Sequence, residues 1–297
     1  MDRRIFFKSS YGFAGLLACH HVGMLSCVGN NTKIRFGIVT DLHYARRPVA
    51  GTRYYEHSIN KLREAVNVFN KSDLDFIIEL GDFKDAGSNR EETLSFLDEI
   101  ECEYRKFHGP VYHVFGNHDM DSISKEDFLK HTANEGKAKN KTYYSFVRRE
   151  IKFIVLDANY NADGSDYNCG NFDWKVAHIP QMQLDWLSQE LETEQPVIVF
   201  LHQLLDITQQ HHHVCVTNAQ EVTGLLEKNN HVLAVFQGHH HTGSYHLGNG
   251  IHYFTLKGMI EGAFPESSSF AVVEIDNSCN ITIDGFHNCE DTYLRKS

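Results

Sequence analysis

One pattern constrains this chain more than any other: five apolar stretches each run out into residues that bind metals. The endings are Asp41-Leu42-His43, Gly81-Asp82-Phe83-Lys84-Asp85, Gly116-Asn117-His118-Asp119, Leu201-His202 and Gly238-His239-His240-His241. The runs before the last two, Val197 to Leu201 and Val232 to Phe236, are nearly continuous apolar segments of the kind that form buried strands. Functional groups in open α/β sheets collect where strands end and loops begin. Taken singly, each residue has a plainer use: Asp41 as a helix cap, Asp82 as a turn residue, His202 as a core histidine bonded to backbone. Their occurrence together, each at the end of an apolar run, favours one site built at one sheet edge.

The rest of the chain alternates strand-like and helix-like stretches. Ile34 to Val39, Leu74 to Leu80 and Val111 to Phe115 read as strands. Glu56 to Asn70 reads as a helix, with Ile59, Leu62, Val66 and Phe69 at helical spacing. Ser88 with Glu91 offers a capping box for a second helix ending before Gly109-Pro110, and Ser124 with Asp127 offers another. Tyr143 to Val147 and Ile151 to Leu156 flank the turn Arg148-Arg149-Glu150 as a hairpin. An Asn-, Asp- and Gly-rich loop from Asn159 to Ile179 precedes a helix opened by Pro180, and another helix covers Asn218 to Lys228. His252 to Leu256, Phe270 to Ile275 and Ile281 to Ile283 close the chain as strands. This order predicts a single α/β domain over 32–297, with two packed β-sheets and helices outside.

Residues 1–31 read differently. Arg3-Arg4-Ile5-Phe6-Phe7-Lys8 followed by Tyr11 to Ala18 has the basic start and short apolar stretch of an export signal, and resembles a twin-arginine leader. Cys19 and Cys27 are candidate lipidation sites, with the polar spacer after Cys27 favouring the second. The expected location is therefore exported, periplasmic or lipid-anchored in a bacterial envelope, with a cytoplasmic protein as the alternative. Membrane association is expected only through such an anchor. The seven cysteines form no CxxC pair, which argues against a structural thiolate site. A formal net charge of −11 argues against a nucleic-acid polymer as partner. It leaves room for a small anionic substrate, since bound dications reverse the local field.

Oxygen and nitrogen ligands without sulfur suit manganese, iron or zinc. Asp41 and His43 can face one ion, Asp82 can bridge two, Asn117 offers an amide oxygen, and His202, His239 and His241 offer imidazoles. Two neighbouring ions generate hydroxide from water near neutral pH and clamp both oxygens of an in-line phosphoryl displacement. His240, between two ligands, is expected to face elsewhere. Arg53 and Arg46 are candidates for a second phosphate contact. Tyr54, Tyr55, Phe172 and Trp174 are candidates to stack on a base, with plain packing an equal reading for each. His211, His212 and His213 lie on a loop able to line the cleft, His212 being the substrate-contact candidate among them.

In order, Asp-x-His, Gly-Asp-x-x-Asp, Gly-Asn-His-Asp, a lone His after a strand and Gly-His-x-His resemble the calcineurin-like metallophosphoesterase superfamily, from Asp41 to His241. The resemblance implies a four-layer α/β/β/α sandwich of two mixed sheets. It implies one metal held by Asp41, His43, Asp82 and His241, and the other by Asp82, Asn117, His202 and His239. His118 would hydrogen-bond the phosphate or protonate the leaving group, with Asp119 orienting it, and Asp85 would support a ligand. Gly51 to Ser58, Tyr143 to Phe146, Phe153 to Ala158 and Gly250 to Tyr253, with Leu256, Gly258, Ile260 and Glu261, resemble the branch of manganese-dependent ADP-ribose/CDP-alcohol diphosphatases. That branch carries Gln where this chain has His43 and a longer middle region, differences that bear on metal preference and substrate range. The implied activity is hydrolysis of phosphodiester or pyrophosphate bonds in small nucleotide-type substrates. Phosphomonoesters and cyclic nucleotides are the alternative substrates, and a non-catalytic metal-binding scaffold is the alternative class.

Overall fold

The computed structural model describes residues 32–205 and 212–296, without the side chains of Lys137 and His212. The leader at 1–31, His211 and the His212 side chain lie outside the described residues. The strands are β1 (Thr32–Val39), β2 (Phe76–Glu79), β3 (Val111–His113), β4 (Tyr144–Arg148), β5 (Ile151–Val155), β6 (Val197–Phe200), β7 (Val232–Gln237), β8 (Ser244–Gly248), β9 (Ile251–Thr255), β10 (Ser269–Asp276), β11 (Ile281–His287) and β12 (Thr292–Leu294). The α-helices are α1 (Ser58–Phe69), α2 (Arg90–Tyr104), α3 (Lys125–His131), α4 (Gln181–Glu190) and α5 (Ala219–Leu226). Among the described residues, no helix is long and apolar enough to cross a membrane.

The strands form two six-stranded sheets, ordered β12-β11-β10-β1-β2-β3 and β4-β5-β6-β7-β9-β8. Each sheet is mixed. In the first, β1, β2 and β3 run parallel and the others antiparallel. In the second, β5, β6, β7 and β9 run parallel, with β4 and β8 antiparallel at the edges. Alternate residues of each strand point to opposite faces, and the apolar clusters follow that alternation. Phe36, Ile38, Phe76, Phe153, Phe200 and Phe236 meet between the sheets. Phe36 of β1 stacks on Phe76 of β2 at 4.9 Å and meets Phe200 of β6 edge-on at 5.7 Å, which locks the two sheets face to face. Val39, Ile77 and Val272 face the other way, onto Leu62, Val66, Leu97 and Ile100 of α1 and α2. Ile154, Val199 and Val235 face Leu184, Leu187 and Val222 of α4 and α5. The architecture is thus the four-layer α/β/β/α sandwich.

Local signals hold in most places. Ser124 and Asp127 form a reciprocal capping box at α3. The β4–β5 hairpin closes on Arg149 and Glu150, both at positive φ (48° and 60°), as a two-residue turn of that twist requires. The second helix starts one residue later than its cap pattern predicts. Asn89, not Ser88, accepts from the Glu92 backbone N–H, and Ser88 instead donates to the Glu92 carboxylate. The short edge strands β8 and β12 were not expected, because Ser-Tyr-His-Leu-Gly and Thr-Tyr-Leu carry too few apolar residues to mark a strand without the neighbour that pairs with them.

Beneath the carboxyl ends of β2 and β3 lies a fully buried charge cluster. His113 Nδ1 is 3.0 Å from Glu79 Oε1, and its Nε2 is 3.2 Å from Glu101 Oε2 on α2. Burial works to lower the His113 pKa, but Glu101 and Glu79 outweigh it and raise it to about 10. Burial pushes the Glu79 carboxyl up to about 7. Glu79 also accepts from the Gly81 N–H at 2.7 Å, which ties this cluster to the loop carrying Asp82.

Removing one member of a buried ionic set leaves an uncompensated charge, at a cost of about 3–5 kcal/mol. His113→Leu is therefore expected to lose stability of that order in urea unfolding near neutral pH. An imidazole pKa raised from 6.5 to about 10 stabilises fully below 6.5, and that stability is lost as pH rises through 10. The gap between wild type and His113→Leu should accordingly narrow from pH 7 to pH 10, and a gap that widened would contradict this account.

Candidate metal centre

The site assembles where β1, β2 and β3 of one sheet and β6 and β7 of the other reach the same edge. The backbone there is unusual. Asp41, His43, Asp82 and His239 adopt left-handed φ of 52°, 47°, 56° and 65°. Such conformations are uncommon outside glycine, least so for Asp, Asn and His, and gather at functional sites. Neighbouring chains hold them: Asp41 N–H donates to Gly81 O at 3.0 Å and His43 N–H to Asp82 O at 2.8 Å. Gly116 and Gly238 let these segments approach. A Cβ at Gly116 would land on the Asp82 nitrogen and Oδ1, and one at Gly238 on the Thr40 hydroxyl.

Each of the two central carboxylates divides its oxygens. Asp41 Oδ2 accepts from the Thr40 hydroxyl at 2.8 Å and the His239 N–H at 3.0 Å. Its Oδ1 turns to imidazoles, lying 3.2 Å from His241 Nε2, 3.7 Å from His43 Nε2 and 3.9 Å from His202 Nε2. Asp82 Oδ1 accepts from the His118 N–H at 2.8 Å, while its Oδ2 lies 3.1 Å from His202 Nε2 and 3.5 Å from His43 Nε2. Asp82 thus faces one histidine from each sheet. The donor atoms fall into two neighbouring groups, Asp41/His43/His241 and Asp82/His202/His239, each with its ligand atoms within 4.8 Å of one another.

The same place collects buried polar atoms with no hydrogen-bond partner: Asp41 Oδ1, Asn117 Oδ1, His202 Nε2 and His239 Nε2. Orphaned buried groups are costly and call for an explanation. Cations bound among them supply one, since every orphan is a lone-pair donor of the type that manganese, iron or zinc accepts. Without cations the imidazoles take up protons. Burial disfavours charge on His202 and His241, but Asp82 and Asp41 raise His202 to about 10, and Asp41 raises His241 to about 9. Burial likewise opposes charge on Asp41 and Asp82, yet His241 and His202 hold the first, and His202 and His118 the second, well below the carboxylate range. His239 goes the other way, lowered to about 3 by burial and then by His202.

The far nitrogens of two of these histidines are also held: His202 Nδ1 lies 2.7 Å from Leu80 O and His241 Nδ1 lies 2.7 Å from Glu261 Oε1, whereas His43 Nδ1 makes no hydrogen bond and only faces Asp85 Oδ2 at 3.6 Å. A carboxylate or carbonyl on one ring nitrogen fixes the tautomer and frees the other for a metal. Asp85 is itself held by Arg47 at 2.6 Å, and that guanidinium covers the Tyr55 ring at 3.9 Å.

His118 stands beside this centre, its ring 4.7 Å from that of His43 and its side chain about one-third exposed (30%). The orienting group is not Asp119. Asp119 is wholly buried and accepts from the N–H groups of Asp82, Phe83 and Gly116 at 3.0, 3.0 and 2.9 Å, so it staples the Asp82 loop to the end of β3. Asp121, one 3-10 turn further on, meets His118 Nδ1 at 2.6 Å, and Asp85 lies 3.8 Å from the same nitrogen. Burial opposes protonation of His118, but Asp82, Asp121 and Asp85 raise it to about 9. The buried Lys84 ammonium donates to His118 O at 2.6 Å and fixes that residue's backbone.

Sequence reasoning missed Glu261, Asp121, Lys84 and Arg47 in these roles. Only Glu261 had a signal, as part of the block after Gly250; the other three act through partners that folding alone reveals. Arg53 lies beside the centre, where its charge acts on both His241 and Glu261. Tyr54 is half-buried, its ring 5.2 Å from that of His57. Arg46 turns to other partners: it pairs with Glu99 and Ser95 on α2 and stands over Phe96. Tyr55 is buried, and Phe172 stacks on Tyr167 at 4.0 Å, so both serve packing. His240 Nε2 pairs with the Thr242 hydroxyl at 2.7 Å, away from the ligand groups.

Comparison with known proteins agrees with this geometry. The sequence profile of the calcineurin-like phosphoesterases matches residues 34–243. The chain is 28% identical over 298 residues to the manganese-dependent ADP-ribose/CDP-alcohol diphosphatase of Oryza sativa subsp. japonica, covering 85% of this chain and 91% of that protein. It is 26% identical to the human protein of the same name, covering 81% and 86%. Its fold superposes on a dimetal phosphatase from Danio rerio with a TM-score of 0.79 at 21% identity, over 90% of this chain and 100% of the other.

Loss of a carboxylate behind a metal-binding histidine typically weakens metal affinity about 10–100-fold. Glu261→Gln, which keeps size and removes the charge facing His241 Nδ1, is expected to show that loss in a chelator competition titration while thermal unfolding of the metal-free protein shifts little. Unaltered affinity would deny Glu261 this supporting role.

Proposed function

We propose that this chain, which belongs to the calcineurin-like phosphoesterase family, hydrolyses the diphosphate bond of small nucleoside diphosphate derivatives of the ADP-ribose or CDP-alcohol type, using two metal ions. It is a metal-dependent phosphoester hydrolase. The observation that supports the two-metal part is the pair of neighbouring groups Asp41/His43/His241 and Asp82/His202/His239, with Asp82 Oδ2 facing both His43 and His202 and orphaned donor atoms among them. The names of its relatives support manganese and the substrate class.

In this reading Asp41, His43, Asp82 and His241 hold one ion, and Asp82, Asn117, His202 and His239 the other. Bound ions supply a nucleophile from water near neutral pH and offset charge on the phosphoryl oxygens. The chain's own groups do the rest. Asp121 and Asp85 favour the protonated form of His118 and fix its ring, so that a proton is ready for the oxygen leaving phosphorus. Lys84 holds the His118 carbonyl and Asp119 holds the loop of Asp82, which keeps acid and ligands in one register. Arg53, whose charge acts on His241 and Glu261, supplies in this reading a guanidinium for a second phosphate.

The test is hydrolysis by protein lacking residues 1–31, loaded in turn with manganese, iron and zinc, of ADP-ribose, CDP-choline, a cyclic nucleotide and nitrophenyl mono- and diesters. Preference for the diphosphates with manganese is expected. His118→Ala should lose about 10²–10⁴-fold in kcat, the usual range for general acid catalysis, with metal content kept. Preference for monoesters or cyclic nucleotides would sink the diphosphatase reading, and no turnover of any kind would bring the scaffold reading forward.

The export reading of residues 1–31 is a separate proposal, supported by Arg3-Arg4 and the apolar stretch before Cys19 and Cys27. Expressed from its full sequence in a bacterium, the protein should fractionate with membranes and move to a soluble fraction on Cys27→Ala. Cytosolic recovery of the intact chain would refute it.

A further inference from the structure

His239 and His241, which follow β7, open onto unlike surroundings. Beside His239 stands Trp174, its ring 5.6 Å from that of His239 and 5.7 Å from that of His213, edge-on to both. Trp174 is 36% exposed and Lys175 Nζ stands over its ring, 5.6 Å from the centroid, so part of the indole meets His239 and part is open beside a cation. The segment that carries it is firmly anchored. Tyr167 is buried, stacks on Phe172 and donates from its hydroxyl to Asp173 O at 3.1 Å. Cys169 and Gly170 N–H donate to Ile123 O and Met120 O at 3.2 and 3.0 Å, just beyond His118, and the Thr217 N–H donates to Ala177 O at 2.8 Å. A large aromatic held beside these histidines with part of its surface open offers a π-system at the edge of a polar site, with the Lys175 ammonium near it to meet a phosphate.

Beside His241 the surface is of another kind. A cleft of about 720 Å³ is lined by Thr52, Lys257, Glu261, His287, Asn288 and Glu290. Its groups donate and accept hydrogen bonds, carry both signs of charge and include no Phe, Tyr or Trp. That lining suits hydroxyls or a small polar head group, not a base. Of the other aromatic candidates, Tyr55 is buried and Phe172 stacks on Tyr167, while Tyr54 is half-buried with its ring 5.2 Å from that of His57 and its N–H donating to Ile260 O, next to Glu261.

We propose that Trp174 is the stacking platform for the nucleobase of a nucleoside diphosphate substrate, and that the cleft beside His241 takes the base-free end. The diphosphate then lies across the ligand histidines between the two. This assignment rests on the diphosphatase reading and gives the substrate a direction. Base–aromatic stacking accepts any base, because every base has a π-face, so one platform serves adenine and cytosine substrates alike.

The chain has two tryptophans, Trp174 and Trp186, and the second packs at 5.0 Å against Tyr143 on the outer helical layer. Trp186→Phe therefore makes Trp174 the sole indole fluorophore. Titrating the manganese-loaded variant with AMP, CMP and ribose 5-phosphate is expected to show saturable quenching by the two nucleotides and little by the base-free phosphate. Trp174→Ala should raise KM for ADP-ribose and CDP-choline about 5- to 150-fold, the range of stacking losses on alanine substitution, with a smaller change in kcat. Trp174→Phe should recover most of it. Equal quenching by ribose 5-phosphate, or KM values that ignore Trp174→Ala while diphosphates are hydrolysed, would overturn the proposal. If wild-type protein hydrolyses no diphosphate, the functional reading fails, while nucleotide-specific quenching would still support stacking on Trp174.

Discussion

Two carboxylates taken out of water organise this molecule. Asp41 and Asp82 are buried at the edge of one sheet, and burial alone would drive both toward the neutral acid. They stay ionised because imidazoles from the opposite sheet, His202 and His241, reach their unbonded oxygens. The division of oxygens matters as much as the distances. One oxygen of each carboxylate is occupied by N–H or hydroxyl donors, which fixes the plane of the group and aims the other oxygen at the histidines. The left-handed backbone at Asp41 and Asp82 and the missing Cβ atoms at Gly116 and Gly238 follow from the need to crowd four chain segments into that space.

Around this centre the acidic excess is answered by internal cations. Lys84 lies buried within reach of Asp119, Asp121, Asp85 and Asp82, and its bond to His118 O sets that residue's backbone in place. Arg47 answers Asp85, and His113 answers Glu79 and Glu101. Glu79 then grips the Gly81 N–H, so a charge cluster with no ligand role supports the turn that presents Asp82. The polar interior is therefore layered: ligands, then the groups that aim them, then the groups that hold the loops.

The legible part of this arrangement was the part written in short segments. Asp41, His43, Asp82, Asn117, His202, His239 and His241 follow apolar runs, and periodicity locates the runs; parallel strands then carry the endings to one edge. The packed sheets were legible for the same reason, since fully buried strands such as β6 and β7 read as unbroken apolar stretches. What was not legible depends on side-chain direction in turns. Asp119 and Asp121 are two residues apart in one 3-10 turn, and only the folded turn shows that the first points into the Asp82 loop and the second toward the His118 ring. Four aromatic residues were candidates for base stacking, and tertiary packing alone takes Tyr55 and Phe172 out of that set.

The donor set is also divided by sheet. Asp41, Asp82, Asn117 and His43 come from the first, and His202, His239 and His241 from the second. Neither of the two donor groups, Asp41/His43/His241 and Asp82/His202/His239, comes from one sheet alone. The Phe36 contacts that pack the sheets face to face are thus also what bring a carboxylate layer against an imidazole layer. A ligand that binds only the folded chain stabilises it by mass action, and an ion held from both sides draws that stabilisation from the packing between the sheets. The candidate metal centre and the aromatic core are in this sense one interface, polar at the edge and apolar behind.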